Sequence, residues 1–175
     1  KIKETNIKDS IRKAPRPFIT STLQQESSTK LHFNVKKTMM VAQKLYEAGL
    51  ITYMRTDSTN LSEDAQNMCK EYILGKYGKE YCDIKNFKSK SKGAQEAHEA
   101  IRPTKIKVTN LNNRMDKDCE RLYNLIWKRT VASQMSNAII EVQTIKIDGL
   151  KNDKSVLPKK TLFVGKLENV KFDGF

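Results

Sequence analysis

Between Asp116 and Met135 the apolar residues Leu122, Leu125, Ile126, Val131 and Met135 recur at helical spacing, with Trp127 beside them. From Ala138 the rhythm changes to alternation through Ile140, Val142, Ile145 and Ile147, ending at Asp148-Gly149. Helices bring residues three and four apart to one face and strands bring residues two apart, so one element cannot satisfy both rhythms. The chain must therefore pass from helix to strand near residue 137. Thr161 to Gly165 predicts another strand. Residues 1–14 carry Ile2, Ile7 and Ile11 at a spacing that suits neither element cleanly, and they are expected to form an incoming edge strand or linker. The expected class is mainly α with flanking β (α+β). A helical domain over 15–136 would be inserted between β-rich flanks at 1–14 and 137–175.

The helical middle carries its own punctuation. Pro15 and Pro17 rigidify the entry. Ser21, followed three residues later by Gln24, predicts a capping box and a helix running through Leu23 toward Leu31. Asn34 is placed to cap a second helix whose apolar stripe is expected at Val35, Met39, Ala42 and Tyr46, with Leu45 beside it. Gly49 then ends that helix, with Leu50 packing back on its last turn. Ser62 opens a third, with Glu63 and Asp64 in the first turn where the helix dipole favours negative charge. Its apolar face is Ala65, Met68, Cys69, Tyr72 and Ile73, and Gly75 and Gly78 are expected to end it. Lys85 to Lys92 is lysine-rich and polar, either a solvated loop or an arm that tracks phosphates.

Thirty-three Lys and Arg against 20 Asp and Glu give the 175-residue chain a net charge of +13. So positive a chain suits a polyanion, and nucleic acid is the commonest one, although a lysine-rich proteome gives the same balance without function. No apolar run approaches a membrane span and no signal peptide is visible. Cys69, Cys82 and Cys119 are odd in number and lack a Cys-x-x-Cys pair, which fits reduced structural thiols in a cytoplasmic protein better than zinc or disulfides. A lysine at the start and Asp173-Gly174-Phe175 at the end suggest a piece of something longer.

Two constellations carry chemistry. GLITYMRTDST, Gly49 to Thr59, places Tyr53 two residues before Arg55 just after the predicted end of a helix. In an extended segment both point to one face. A phenol can attack phosphorus covalently, and a guanidinium can grip phosphate oxygens through two parallel hydrogen bonds. A lone tyrosine is more often a half-buried packing residue, so the pairing, not the phenol, is the signal. GAQEAHEAIRPT, Gly93 to Thr104, sets His98 four residues before Arg102, on one face if the segment is helical. His98 could hold phosphate or shuttle a proton, or could be satisfied by Glu96 or Glu99. His32, beside Phe33 at a helix end, is expected to be structural.

Together with PFITSTLQQESS (Pro17 to Ser28) and VKKTMMVAQKLYEAG (Val35 to Gly49), these blocks closely resemble the central part of the bacterial topoisomerase I branch of the type IA DNA topoisomerases. The likeness runs from about Pro15 to about Met135 and loosely beyond, and four blocks in the same order are far more specific than one motif. It implies a winged-helix-like (CAP-like) tyrosine-bearing domain inserted into a β-rich hinge domain. It implies that Tyr53 is the nucleophile, forming a 5′-phosphotyrosyl bond, and that Arg55 contacts the scissile phosphate. His98 would belong to the active site, and Arg102 would be a DNA contact or an ion-pair partner. Ser21, Thr22 and Gln24 fall in a family block whose role the residues do not reveal. The implied partners are DNA, preferably single-stranded, and the remaining domains of the same enzyme. The implied enzyme is monomeric, needs no ATP, and works in the bacterial cytoplasm, associated with the nucleoid. Magnesium is implied for the full-length enzyme, but the acidic ligand cluster of the family is not in these residues, nor are its cysteine-tetrad zinc ribbons. No cofactor is expected in the fragment, which should not relax DNA by itself. The rival readings are a non-enzymatic module, with Tyr53 stacked on a base and Arg55 on a phosphate, and a tyrosine recombinase.

Overall fold

The structure is a computed structural model describing residues 2–87, 99–111, 115–149 and 161–175. Along the chain come β1 (Ile2–Arg12), α1 (Thr20–Glu26) with a π-helical continuation (Ser27–Leu31), α2 (Val35–Glu47), α3 (Glu63–Lys76), a 3₁₀ turn (Lys79–Tyr81), α4 (Lys117–Ser133), β2 (Ala138–Asp148) and β3 (Leu162–Phe172). The class is α+β. The chain divides into a sheet unit within 1–13 and 137–174 and a helical unit over 14–136 that also takes in Phe175.

In the sheet unit β2 lies between β1 and β3, both antiparallel to it. The N-terminal segment is a full edge strand, and its awkward isoleucine spacing has a local cause. A register shift between Ile2 and Glu4 sets Ile2 opposite Ile147, while Ile7 and Ile11 face Gln143 and Ile139. A bulge lets an even-numbered residue share a face with odd-numbered ones. β3 continues to Phe172, well past the expected end at Gly165. A second shift, at Ile139/Ile140, skips Lys171. The Lys171 Nζ lies 2.7 Å from Asp9 and 3.0 Å from Glu141, two carboxylates facing each other across β1 and β2. Like charges set opposite would repel, and the bulged lysine bridges the two and offsets that repulsion. Hydrogen bonds to Asp9 and then Glu141 raise its own pKa.

The helical unit buries Phe18, Leu23, Phe33, Leu45, Ile51, Met54, Ile73, Ile101, Ile106, Leu111, Leu122 and Tyr123. Two aromatic polar groups end inside this core and both find carbonyls. Trp127 Nε1 donates to Ile106 O at 2.8 Å and Tyr123 Oη to Val108 O at 2.7 Å. Burial pushes the Tyr123 phenol up to about 12. The three cysteines are free, and burial raises all their pKa values, Cys69 to about 12.

Helix starts follow side-chain caps at three sites. Asn34 Oδ1 accepts from Lys37 N at 2.8 Å, Ser62 Oγ from Ala65 N, and Asp116 Oδ1 from Cys119 N at 2.8 Å. Asp116 also holds Lys44 at 3.1 Å, tying α4 to α2. The backbone N–H of Cys119 and then Lys44 hold the Asp116 carboxyl down at about 2.

Two expectations need correction. The Ser21/Gln24 box does not start α1. Ile19 is the N-cap, and Thr22 Oγ1 accepts from Ile19 N and donates to Ile19 O, both at 3.1 Å. A hydroxyl one turn in can satisfy the cap backbone without a polar cap residue. In α2 the buried stripe is Thr38, Val41, Ala42 and Leu45, leaving Val35 57% exposed and Tyr46 41% exposed. The tail of a helix stripe is set by its neighbours, and here they cover Leu45 but leave Tyr46 outside. Gly75 lies inside α3, and Gly78, with φ +102°, follows its end. The helix running to Leu31 ends at His32, whose φ is +59°.

Lys85, at the start of the lysine-rich stretch, is anchored to Asp83 at 3.1 Å and to the Met135 carbonyl. The rest of that stretch, from residue 88 on, lies outside the described residues, as does His98.

Candidate active site

The site begins with the way α2 stops. Gly49 has φ +67°, its N–H donates to Tyr46 O at 2.8 Å, and Leu50 N donates to Leu45 O at 2.9 Å. This is a Schellman ending. A Cβ on Gly49 would meet open space, so what glycine supplies is the positive φ. The chain reverses within two residues and enters 50–60 from a rigid helix.

Along that segment burial alternates. Met54, Thr56 and Ser58 point inward, and Tyr53, Arg55 and Asp57 are exposed. The backbone bends near Thr52 and again at Met54 and Arg55, so it is not a regular strand. Phenol and guanidinium are nonetheless both open to solvent, while the residues between and after them are buried.

Two threonines lace the segment to its neighbours. Thr52 N donates to Arg102 O at 2.9 Å, Arg102 N donates to Thr52 Oγ1 at 2.9 Å, and Thr52 Oγ1 donates to Ala100 O at 2.7 Å. Bridges between Ile51 and Pro103 and between Phe18 and Ile101 extend this contact. On the other flank Thr20 N donates to Thr56 O at 2.9 Å. Thr20 Oγ1 accepts from Thr56 N at 2.9 Å and shares its proton between Met54 O at 2.9 Å and Thr56 O at 3.1 Å. One hydroxyl therefore clamps the backbone on both sides of Arg55. Removing it should leave the Thr56 N–H without its partner, costing about 1–2 kcal/mol. Thr20→Val is expected to lose that amount in urea unfolding, and Thr20→Ser to stay close to wild type. Equal stability of all three would show that the clamp carries no weight.

Tyr53 is 42% exposed and its ring meets that of Tyr46 edge-on, centroids 5.2 Å apart. Such pairs contribute about 0.5–1.5 kcal/mol beyond burial and fix ring orientation. Tyr46 lies seven residues upstream, on the exposed side of the last turn of α2. The sequence placed it in the core, and only the reversal at Gly49 brings it beside Tyr53. The Tyr53 hydroxyl and the Arg55 guanidinium have no partner among the described residues. Arg55 lines an open groove of about 500 Å³ with Ile19, Thr20, Ser21, Gln24, Thr56 and Asp57.

Arg102 is the ion-pair partner and not an outward-reaching cation. Its side chain is 11% exposed, Nε and Nη2 donate to Glu99 Oε2 at 3.1 and 2.6 Å, and Nη1 donates to Pro103 O at 3.0 Å. Glu99 Oε1 accepts from Ser62 N at 2.7 Å, so the pair ties 99–103 to the start of α3. Burial pushes the Glu99 carboxyl up, but the hydrogen bonds from Ser62 and Arg102 together outweigh it and hold the pKa below its ordinary 4.5. A depressed carboxylate contributes stability above its unfolded pKa and loses it as pH falls through the folded one. Glu99→Gln should therefore cost about 1–3 kcal/mol at pH 7, the upper range for a buried pair being reduced by partial exposure. The gap between variant and wild type should narrow in unfolding curves taken below pH 4.5. A pH-independent difference would remove the charge from the account.

Magnesium needs several oxygen donors. Asp57 is the one carboxylate on the groove, and the described residues hold no group of three or more His, Cys, Asp or Glu placed for a metal. No helix among the described residues is long and apolar enough to cross a membrane.

A family model described as DNA topoisomerase matches residues 1–175. DNA topoisomerase 1 of Pasteurella multocida is 56% identical over 137 residues, covering 77% of this chain and 16% of that protein. The Escherichia coli protein of the same name is 51% identical over 146 residues, covering 82% and 17%. The structure of full-length topoisomerase I from Thermotoga maritima matches with a TM-score of 0.82 at 37% identity, covering 99% of this chain and 28% of that one. The chain thus spans about a sixth of the first two relatives and just over a quarter of the third. With the match running through the whole chain and the fold shared, the chain belongs to the bacterial DNA topoisomerase I family.

Proposed function

We propose that this chain is the strand-cleaving part of a longer type IA DNA topoisomerase, with Tyr53 as nucleophile and Arg55 as its phosphate clamp. The observation that supports the reading is the exposure of both groups, neither with a partner among the described residues, on a segment laced at both flanks. Tyr53 Oη attacks the scissile phosphorus, the bond from phosphorus to the 3′ oxygen breaks, and a 5′-phosphotyrosyl ester remains. The proton lost by the phenol ends on the 3′ oxygen, leaving a 3′-hydroxyl. Religation runs the same steps backward. One phosphodiester replaces another of similar energy, so no ATP is consumed. A phenol is almost wholly protonated at neutral pH and needs help to react. Arg55 stabilises charge on the phosphate oxygens as the phosphorus becomes five-coordinate.

His98, in the family block with Glu99 and Arg102, is assigned to the same site as a phosphate contact or proton relay. Arg102 is assigned a positioning role through Glu99. The helical unit is assigned to the winged-helix-like type and the sheet unit to the hinge. Strand passage through the opened gate relaxes negatively supercoiled DNA. That cycle requires the remaining domains, which also hold any magnesium the enzyme uses, so this chain alone is expected to be inactive. The enzyme is assigned as a cytoplasmic, nucleoid-associated monomer acting on single-stranded DNA.

The deciding experiment traps the covalent adduct of the complete enzyme on a single-stranded oligonucleotide, digests it, and locates the nucleotide by mass spectrometry. Attachment at Tyr53 is expected. Attachment at another residue, or binding without any adduct, would return the chain to a non-enzymatic DNA-binding role.

A further inference from the structure

The groove beside Arg55 has a composition that the cleavage reaction does not by itself require. Ser21 and Gln24, one turn apart on α1, form one wall, and Arg55 and Asp57 form the other. None of these four side chains has a hydrogen bond or ion pair among the described residues. The groove therefore offers a guanidinium, a hydroxyl, an amide with both donors and acceptor, and one carboxylate. Thr20, between the walls, is fully used in clamping the backbone, so the spacing of the walls is fixed.

The geometry points to a binding subsite for the first two nucleotides on the 3′ side of the break, which stay attached to Tyr53 after cleavage. This inference rests on the assignment of Tyr53 as nucleophile and adds the path of the bound strand. The groove's formal charges cancel, one cation against one anion, which suits a single phosphate and a base better than a run of phosphates. Its volume of about 500 Å³ falls within the range of sites that hold one small organic molecule, so one or two nucleotides fit. Arg55 takes the phosphate. Asp57 repels phosphate and accepts from a base amino group, and Gln24 and Ser21 supply the donor and acceptor pair that a base edge presents. The chemistry gives the subsite its purpose. Cleavage leaves one DNA end covalently bound to this unit, and contacts beyond the ester keep that end aligned for the returning 3′-hydroxyl.

The test uses the complete enzyme and single-stranded oligonucleotides that share one cleavage site but extend one, two, four or eight nucleotides 3′ of the break. Covalent adduct formation and religation rate are measured for wild type, for Ser21→Ala/Gln24→Ala, and for Gln24→Glu. Wild type is expected to lose about three- to tenfold when the extension is trimmed to one nucleotide, the effect of one or two polar contacts. The double variant should lose a similar factor on the long oligonucleotide and show little further response to trimming, and Gln24→Glu should lose at least as much. A trimming response unchanged in both variants would overturn the subsite, and so would a loss equal at every length, since that marks a structural effect alone. Wild type forming no Tyr53 adduct on any oligonucleotide would instead remove the nucleophile assignment beneath it. Neither replaced side chain holds a partner among the described residues, so loss of fold does not cloud the comparison.

Discussion

Tyr53→Phe in the complete enzyme is expected to abolish strand cleavage and relaxation while leaving single-strand binding within about twofold of wild type. The loss should be on the order of 10⁴-fold or more, the scale seen when a covalent nucleophile is deleted. The structure makes this substitution unusually clean. The Tyr53 hydroxyl has no partner among the described residues, so its removal orphans no buried group. The ring that meets Tyr46 at 5.2 Å remains, so both stacking on DNA and packing against α2 are kept. Oligonucleotide cleavage gels and fluorescence anisotropy separate the two properties. Cleavage persisting in the variant would defeat the nucleophile assignment. Loss of binding in step with cleavage would make the hydroxyl a binding contact and not a nucleophile.

Arg55→Ala should lower the cleavage rate about 10²- to 10³-fold, the usual cost of removing one group aimed at developing charge. Its effect on strand affinity should be less than about tenfold, because one phosphate contact is a small part of a polyelectrolyte interface. Arg55→Lys should recover only part of the rate, since an ammonium keeps the charge but not the paired donors of the guanidinium. Arg55 is exposed and has no side-chain hydrogen bond or ion pair among the described residues, so the melting temperature of the variant should stay near that of wild type. Single-turnover cleavage beside equilibrium binding decides the matter. Equal losses in rate and affinity would make Arg55 an ordinary binding cation, and a large drop in melting temperature would make it structural.

Much of the helical unit was legible along the chain. Asn34 and Ser62 cap their helices, and Gly49 ends α2 with the left-handed residue the turn requires. The alternation that leaves Tyr53 and Arg55 exposed and Met54 and Thr56 buried was also within reach of the sequence, since neighbouring residues of an extended backbone point opposite ways. Other features were misread for identifiable reasons. Tyr46 fits the α2 stripe by spacing, but it lies on the exposed side of the last turn, and its ring meets Tyr53 instead. The isoleucines of β1 look irregular because a bulge changes their phase, which only the partner strand reveals. Arg102 could equally have faced DNA or a carboxylate, and Glu99, three residues before it, decided the outcome through Ser62.

The division follows the range of the forces involved. What the sequence alone determined lies within about one helical turn of the residue concerned, where caps, glycine conformation and side-chain direction follow from local backbone sterics. What the tertiary structure decided joins residues far apart in the chain. Thr20 reaches Met54 across 34 positions and Thr52 reaches Ala100 across 48, and these hydrogen bonds hold the Tyr53 segment in place. A threonine in the sequence carries no sign of which distant carbonyl it will meet. The packed core chooses the partner by bringing 18–20, 50–60 and 99–104 together, and a reactive pair written locally gains its fixed position from that assembly.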